Sequence, residues 1–345
     1  MNRLPLHALH AAAGARFGDD RGTQVPLDYG DPPAEYRAAH ETAALFDWSD
    51  AALRIVRGGD RVRFLQGMVT NDVAALADGQ RCLACLCNDK GGIQAVVDVW
   101  RQHDAFWLFS DPGMDDVIHA RLDRYIVADD VTLERATAAF GKLTLVGPRA
   151  QEVVAAFAPA AHDLAPNGIV SLDDTAWLAR RAFNSLDAFL LVATNEALPV
   201  FAERVAATVG GAGGRWAGRD AWDLLRIEAG WPRWGCEVGE DTFPQEVGLT
   251  DAVSFTKGCY IGQEVVLRIQ HRGHVNRQLV RVVVEGDCPP LPAELSLDGK
   301  VAGRLTSCAR FSDGRTLGLA LVRRDAATSG ARLALPGGAA TAQVC

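Results

Sequence analysis

The hydrophobic positions of this chain change period as it runs. Leu4, Leu6, Leu9 and Ala13 fall near helical spacing. A Pro/Gly/Asp-rich loop over 24–33 follows, and Asp31 can cap a helix over 34–46 with Pro32 or Pro33 in its first turn. Tyr36, Ala39, Ala43 and Ala44 give that helix a narrow apolar face. Residues 52–57 predict a strand, 58–60 a turn, and 61–68 a short helix with Val62, Leu65 and Met68 on one side. Residues 81–87 read as a buried strand and 93–100 as its hairpin partner, with Asn88-Asp89-Lys90-Gly91-Gly92 as the turn. Further strands are expected over 106–109 and 131–133, with a helix over 115–126 between them. Together these elements predict a small α+β layer, helices on one face of an antiparallel sheet.

Residues 142–146 predict a strand and 149–157 a helix. Two strands over 176–193 turn at Asn184-Ser185-Leu186-Asp187, and helices follow over 198–209 and 220–227. Gly210 to Gly214 read as a flexible link, and 231–250 as a polar, Gly/Pro-rich connection. Beyond about residue 275 the pattern becomes short strands at close spacing (278–285, 300–306, 316–322 and 331–335), as in a small barrel.

Composition changes this picture little. The 345 residues are 48% hydrophobic and 23% charged, which suits a globular protein with a sizeable core. A net charge of −8 argues against direct nucleic-acid binding through a broad basic surface. No run of apolar residues is long enough for a membrane-spanning helix, and the start carries no secretory pattern, so a cytoplasmic protein is expected. The eight cysteines then read as reduced thiols. No Walker loop, dinucleotide fingerprint, HExxH or GxSxG occurs.

The candidate chemistry concentrates in Lys257-Gly258-Cys259-Tyr260-Ile261-Gly262-Gln263-Glu264. Ile261, Val265 and Ile269 fit a helix beginning near Tyr260, with Glu264 and Arg268 as an i, i+4 pair and Gly273 as its stop. Cys259 would then stand at a helix start with Lys257 nearby, and both features favour a thiolate. Gly258 and Gly262 are expected to set the backbone geometry, and Gln263 and Glu264 to anchor the helix start. Cys82, Cys85 and Cys87 lie in an apolar strand and read as core, not as metal ligands. In Gln270-His271-Arg272-Gly273-His274-Val275-Asn276-Arg277, Arg272 and Arg277 suit an anion better than the two histidines suit a metal. No metal site is expected. Glu228 follows the helix over 220–227, where the macrodipole disfavours a carboxylate; an amino-pyrimidine edge would explain its place, and a solvated surface Glu reads equally well.

Three stretches together resemble the folate-binding YgfZ-type proteins, relatives of the glycine-cleavage T-protein (aminomethyltransferase). They are Phe64 to Val73 (FLQGMVTNDV), Leu225 to Gly230 (LRIEAG) and Lys257 to Glu264 (KGCYIGQE). The resemblance implies an α+β, three-domain aminomethyltransferase-like cloverleaf with a ferredoxin-like inserted domain and a C-terminal small β-barrel. The implied domains are a discontinuous folate-binding domain (1–50 with 135–274), the insertion (51–134) and the barrel (275–345). It implies tetrahydrofolate or a derivative as cofactor, with Glu228 on the pterin ring and Asn71, Trp107 and Arg272 as further folate-binding residues. One position departs from the transferases. Where they carry a catalytic Asp after the hairpin turn, the aligned residue is Ala95, with Asp98 on the opposite strand face. Alanine cannot move a proton. The implied function is accordingly an accessory one, supporting assembly or repair of iron–sulfur clusters in client enzymes, including tRNA-modifying ones. Cys259 is the functional thiol and Lys257 its electrostatic neighbour. The expected partners are folate and iron–sulfur client or assembly proteins, with no direct nucleic acid, no membrane and a monomeric state. The alternative is a folate-dependent aminomethyltransferase or demethylase.

Overall fold

A computed structural model describes residues 1–183, 186–336 and 341–345. The chain forms two compact units. The first gathers Met1–Val62, Ala75–Cys82 and Asp98–Trp222. Its main sheet has six strands in the order Ile169–Asp173, Ala176–Phe183, Leu186–Thr194, Phe140–Val146, Ala44–Asp47 and Arg215–Trp216. Neighbours are antiparallel except the last pair, which is parallel. Helices Ala150–Phe157 and Leu198–Gly211 close one face. Val153, Val154, Phe157, Phe201 and Val205 meet Leu143, Leu145, Leu178 and Leu191 from the sheet. Strand Ala51–Arg57 pairs antiparallel with both Ala105–Pro112 and Thr132–Arg135. Its Leu53 and Ile55 share a buried core with Trp100, Trp107 and Phe109.

The second unit gathers Arg63–Ala74, Leu83–Val97 and Asp223–Cys345. Six of its strands close a barrel in the order Arg277–Val284, Thr316–Arg323, Lys300–Arg310, Ala293–Leu297, Arg332–Ala334 and Thr341–Val344. Val282, Leu295, Leu305, Ala320 and Leu333 fill its interior. The hairpin strands Gln80–Cys87 and Ile93–Gln102 are shared, their tips belonging to this unit and their bases to the first. No helix among the described residues is long and apolar enough to cross a membrane.

Much of the patterning holds. Helix Arg61–Met68 and the hairpin are where the periodicity placed them, and Asp31 accepts the backbone N–H of Ala34 at 3.0 Å to cap Pro32–Glu41. Four expectations change. The helix expected to reach 46 ends at Glu41, because Ala44–Asp47, buried at all four positions, becomes a sheet strand. Residues 24–28 of the stretch read as loop belong to strand Thr23–Asp28, which pairs with Arg16–Asp20. The barrel gains two strands, Ala293–Leu297 and Thr341–Val344, that the pattern missed. The glycine run 210–214 is packed, not loose. The helix runs on through Gly211, and a Cβ on Gly214 would stand 2.2 Å from the Ala43 carbonyl oxygen. Asn184 and Ser185 of the expected turn lie outside the described residues.

Candidate functional site

Helix Arg61–Met68 ends with backbone carbonyls that its own ladder cannot satisfy. The chain that follows is organised by Gln66. Its side-chain oxygen accepts the N–H groups of Val73 and Ala74 at 3.0 and 3.1 Å, and its amide nitrogen donates to Asp72 at 2.9 Å. Asn71 donates its amide to the carbonyls of Leu83 (2.7 Å) and Asp251 (3.0 Å). Thr70 is fully buried, donating to the Ala252 carbonyl at 2.6 Å and accepting the N–H of Cys85 at 2.8 Å. The loop is therefore stitched both to the hairpin and to the segment before Lys257.

Lys257 completes the stitching. It is 8% exposed, and its ammonium donates to the carbonyls of Gln66 (2.6 Å), Val69 (2.8 Å) and Asn71 (2.8 Å). A cation at the C-terminal end of a helix meets both the dipole and the orphan carbonyls. The Tyr260 ring lies 5.2 Å from the same ammonium. The charge expected beside the thiol is thus bonded to the loop 66–71. The N–H of Ile261 donates to the Gly67 carbonyl at 3.1 Å, a further tie on the far side of the thiol.

The helix itself is Gln263–Arg272, so it begins three residues later than the spacing predicted. Gly262 is the cause. It precedes the helix at φ +86°, and a Cβ there would lie 2.5 Å from the Asn88 carbonyl oxygen and 3.0 Å from the Gly91 Cα. Only glycine allows the segment to rest on the hairpin turn in this conformation. Gly258, expected to hold an unusual backbone angle, has no positive φ, and a Cβ on it would touch nothing. Cys259 therefore stands four positions before the first helical residue, exposed, on a short span tied at both ends. Gln263 reaches back to the Gly258 carbonyl at 3.5 Å, and Glu264 pairs with Arg268 at 2.5 Å as the spacing predicted. Gly273 ends the helix at φ +70°.

Beneath this span, Tyr260 is 6% exposed, and its hydroxyl has no hydrogen-bond partner among the described residues. Burial, with the neighbouring thiols of Cys87 and Cys85, pushes the phenol above its ordinary range. Cys85 and Cys87 are fully buried among Ile93, Val238, Val247 and Leu249, and burial likewise raises the Cys85 thiol. Ala95 is also fully buried, on the strand face of Ile93 and Val97. Asp98 is held at the strand's base by Arg81 (2.6 Å) and Arg181 (3.1 Å).

Glu228 lies in the last turn of helix Arg219–Ala229, half-buried, and its backbone carbonyl accepts from Arg281 at 2.9 Å. A neighbour in the same helix, Arg226, bonds Asp223 (2.5 Å), Ser307 (2.9 Å) and the fully buried Glu237 (3.4 Å). Glu237 also accepts from Thr306 (2.7 Å), Ser307 (2.6 Å) and the N–H of Arg233 (3.0 Å). This network fixes the helix that carries Glu228, and sequence reading missed it. Glu237 falls in the stretch read as a polar connection, and its two hydroxyl partners are 69 and 70 residues away.

The structure thus brings Asn71, Lys257, Tyr260 and Gly262 into one assembly. Trp107 lies in the first unit, packed against Trp177 (4.8 Å between ring centres), Phe140 (5.2 Å) and Phe109 (6.3 Å). Arg277, read as an anion contact, is committed to Glu246 (2.9 Å) and Asp241 (3.2 Å). Arg272 is the last residue of its helix, and its side chain lies outside what the structure describes.

Comparison with known proteins adds the rest. Residues 6–257 match the GCVT N-terminal domain, and residues 276–344 match the CAF17 C-terminal β-barrel domain. An aminomethyltransferase of Rubrobacter xylanophilus is 31% identical, covering 93% of this chain and 87% of that one. One from Herpetosiphon aurantiacus is also 31% identical, covering 96% and 93%. The crystal structure of glycine cleavage system aminomethyltransferase T from Bartonella henselae superposes with a TM-score of 0.90 at 25% identity, over 99% of this chain and 96% of that one. The fold is that of an aminomethyltransferase-like protein ending in a closed six-stranded barrel. The chain belongs to the GcvT-like folate-binding T-protein family, with a C-terminal barrel of the CAF17 type.

Proposed function

We propose that the chain binds tetrahydrofolate, or a derivative of it, and supports assembly or repair of iron–sulfur clusters in client enzymes, tRNA-modifying ones included, with Cys259 as its working thiol. The observation that carries this reading is the change along one short segment. Lys257 is buried with three acceptors, and two residues later Cys259 is exposed. A thiol held on a tied span yet open to solvent suits exchange with another protein. Ala95 supports the same reading, since a buried methyl group can neither hold nor move a proton at the position the transferase resemblance assigns to an aspartate.

The residues present fit a folate. Glu228 is half-buried on a helix that buried ionic bonds fix in place, and a carboxylate there can accept both donors of an amino-pyrimidine edge. Both donors of Asn71 are engaged by Leu83 and Asp251, so Asn71 would act by holding its loop and not by donating to the ligand. When bound, tetrahydrofolate supplies one-carbon carriage. We place the protein in the cytoplasm as a monomer whose effect on tRNA passes through its client enzymes.

Calorimetry with tetrahydrofolate on the wild type and on Glu228→Ala tests the folate part. Saturable binding that weakens at least about tenfold in the variant is expected, a loss of about 1.4 kcal/mol. Equal binding by both would remove Glu228 from the site. A second reading, a folate-dependent aminomethyltransferase or demethylase, is favoured by the names of the relatives. Steady turnover of an aminomethyl-lipoyl carrier or an N-methyl amine by the purified protein would establish it against the accessory role.

A further inference from the structure

Arg281 touches the helix end that carries Glu228 and has no part in the function proposed above. It belongs to strand Arg277–Val284, where Val280, Val282 and Val284 face the barrel interior and Arg281 and Val283 alternate outward. Its backbone is pinned on both edges. It stands opposite Leu319 on strand Thr316–Arg323, and its carbonyl accepts the N–H of Cys345 at 3.0 Å.

The side chain lies over the end of helix Arg219–Ala229. There the chain turns at Gly230 with φ +70°, and a Cβ on that glycine would meet the Arg281 Cγ and Cδ at 3.7 and 3.8 Å. Beyond this stem the guanidinium Nη1 donates to the Glu228 carbonyl at 2.9 Å. A cation at this end of a helix offsets the dipole that disfavours the Glu228 carboxylate. Other arginines of the second unit are committed to carboxylates: Arg226 to Asp223 and Glu237, Arg233 to Asp223, and Arg277 to Glu246 and Asp241. Arg281 differs. Among the described residues the Glu228 carbonyl is its one hydrogen-bond partner, and no carboxylate pairs with it. The residue is exposed, so its remaining N–H donors are open to a ligand.

We propose, on the basis of the folate reading, that Arg281 is a specificity-determining residue that selects a 4-oxo pterin ring over a 4-amino one. A carboxylate at Glu228 accepts the donors of an amino-pyrimidine edge. In tetrahydrofolate the next position around that ring carries an oxygen, which only accepts. The Arg281 guanidinium has only donors. A 4-amino ring presents donors of its own at that position, so the guanidinium faces like groups and is left without an acceptor. Glu228 alone separates the two rings poorly, because the 2-amino group is common to both. The donor stands on a strand pinned at both edges and the acceptor on a helix held by Arg226 and Glu237, which keeps their spacing fixed.

The test is anaerobic calorimetry of the full chain, wild type and Arg281→Met, with tetrahydrofolate and with its 4-amino counterpart, in which an amino group replaces the ring oxygen. Methionine keeps an apolar stem over Gly230 and removes every donor. The wild type is expected to bind the oxo compound at least about tenfold tighter, and Arg281→Met to bind the two within about twofold, the loss falling on the oxo compound. Equal affinity of the wild type for both compounds would overturn the role of Arg281 and leave the folate reading standing. Weakening of both by the same factor in Arg281→Met would also overturn it, because Arg281 would then only hold the helix end. Binding of neither compound by the wild type would remove the folate reading itself, and this inference with it.

Discussion

Lys142 and Lys257 are both buried, and both satisfy their ammonium with backbone carbonyls. Lys142 is fully buried in the first unit and donates to Ser49 (2.9 Å) and Thr137 (3.2 Å). Its surroundings are closed. His10 and Asp47, both fully buried at the side chain, bond at 2.7 Å, the Tyr29 hydroxyl meets His10 at 2.8 Å, and Asp50 pairs with Arg219 at 2.5 Å. Lys257 in the second unit has three acceptors, and the chain leaves it within two residues for an exposed thiol. Burial of charge is common to both regions and so does not mark a site. What marks one is a network that fixes a reactive group from one side and leaves it open on the other.

The comparison can be broken by removing each ammonium. Lys257→Met strands three carbonyls at a helix end and is expected to cost about 3–5 kcal/mol in urea unfolding. An effect under about 1 kcal/mol would show that the ties to Gln66, Val69 and Asn71 hold nothing. For Lys142 the signature is pH. Burial, opposed by Asp50 and Asp47, pulls its ammonium down from 10.5 to about 8. Between those values the unfolded chain binds more protons than the folded one, so this group's contribution to stability rises with pH across that window. The rise amounts to about 3 kcal/mol at most. Lys142→Met is expected to flatten it, and unchanged pH curves for variant and wild type would mean that the ammonium is solvated.

The glycines sharpen the contrast on a smaller scale. Gly262→Ala must find room for a methyl 2.5 Å from the Asn88 carbonyl at a left-handed φ, and should lose about 2–3 kcal/mol. Gly258→Ala meets open space and should stay within about 0.5 kcal/mol of wild type. Urea midpoints for the pair check both, and equal losses would contradict the distinct roles given to the two glycines.

What was legible in the sequence follows the range of the interactions. The hairpin and helix Arg61–Met68 announce themselves because period and turn chemistry are local. Strand Ala44–Asp47 does not. Ala43 and Ala44 continue the helical run before it, and it becomes a strand by pairing with Phe140–Val146 and Arg215–Trp216. At the candidate site, residue types pointed to a segment but not to its geometry. Lys257 finds a carbonyl 191 residues earlier, which no spacing rule reaches. Two glycines looked alike, and only the contact with the hairpin turn shows that Gly262 carries the unusual backbone angle. Glu237 stayed hidden because a buried carboxylate and a solvated one read the same until Arg226, Thr306 and Ser307 are seen around it.

We propose Cys259 as the working atom and Lys257 as part of the support that presents it. The most direct measurement is client iron–sulfur enzyme activity in cells lacking the protein, restored with wild type or with Cys259→Ala. Because Cys259 is exposed, the variant is expected to fold with unchanged stability and to fail to restore that activity. Full restoration by Cys259→Ala at normal protein levels would contradict the account.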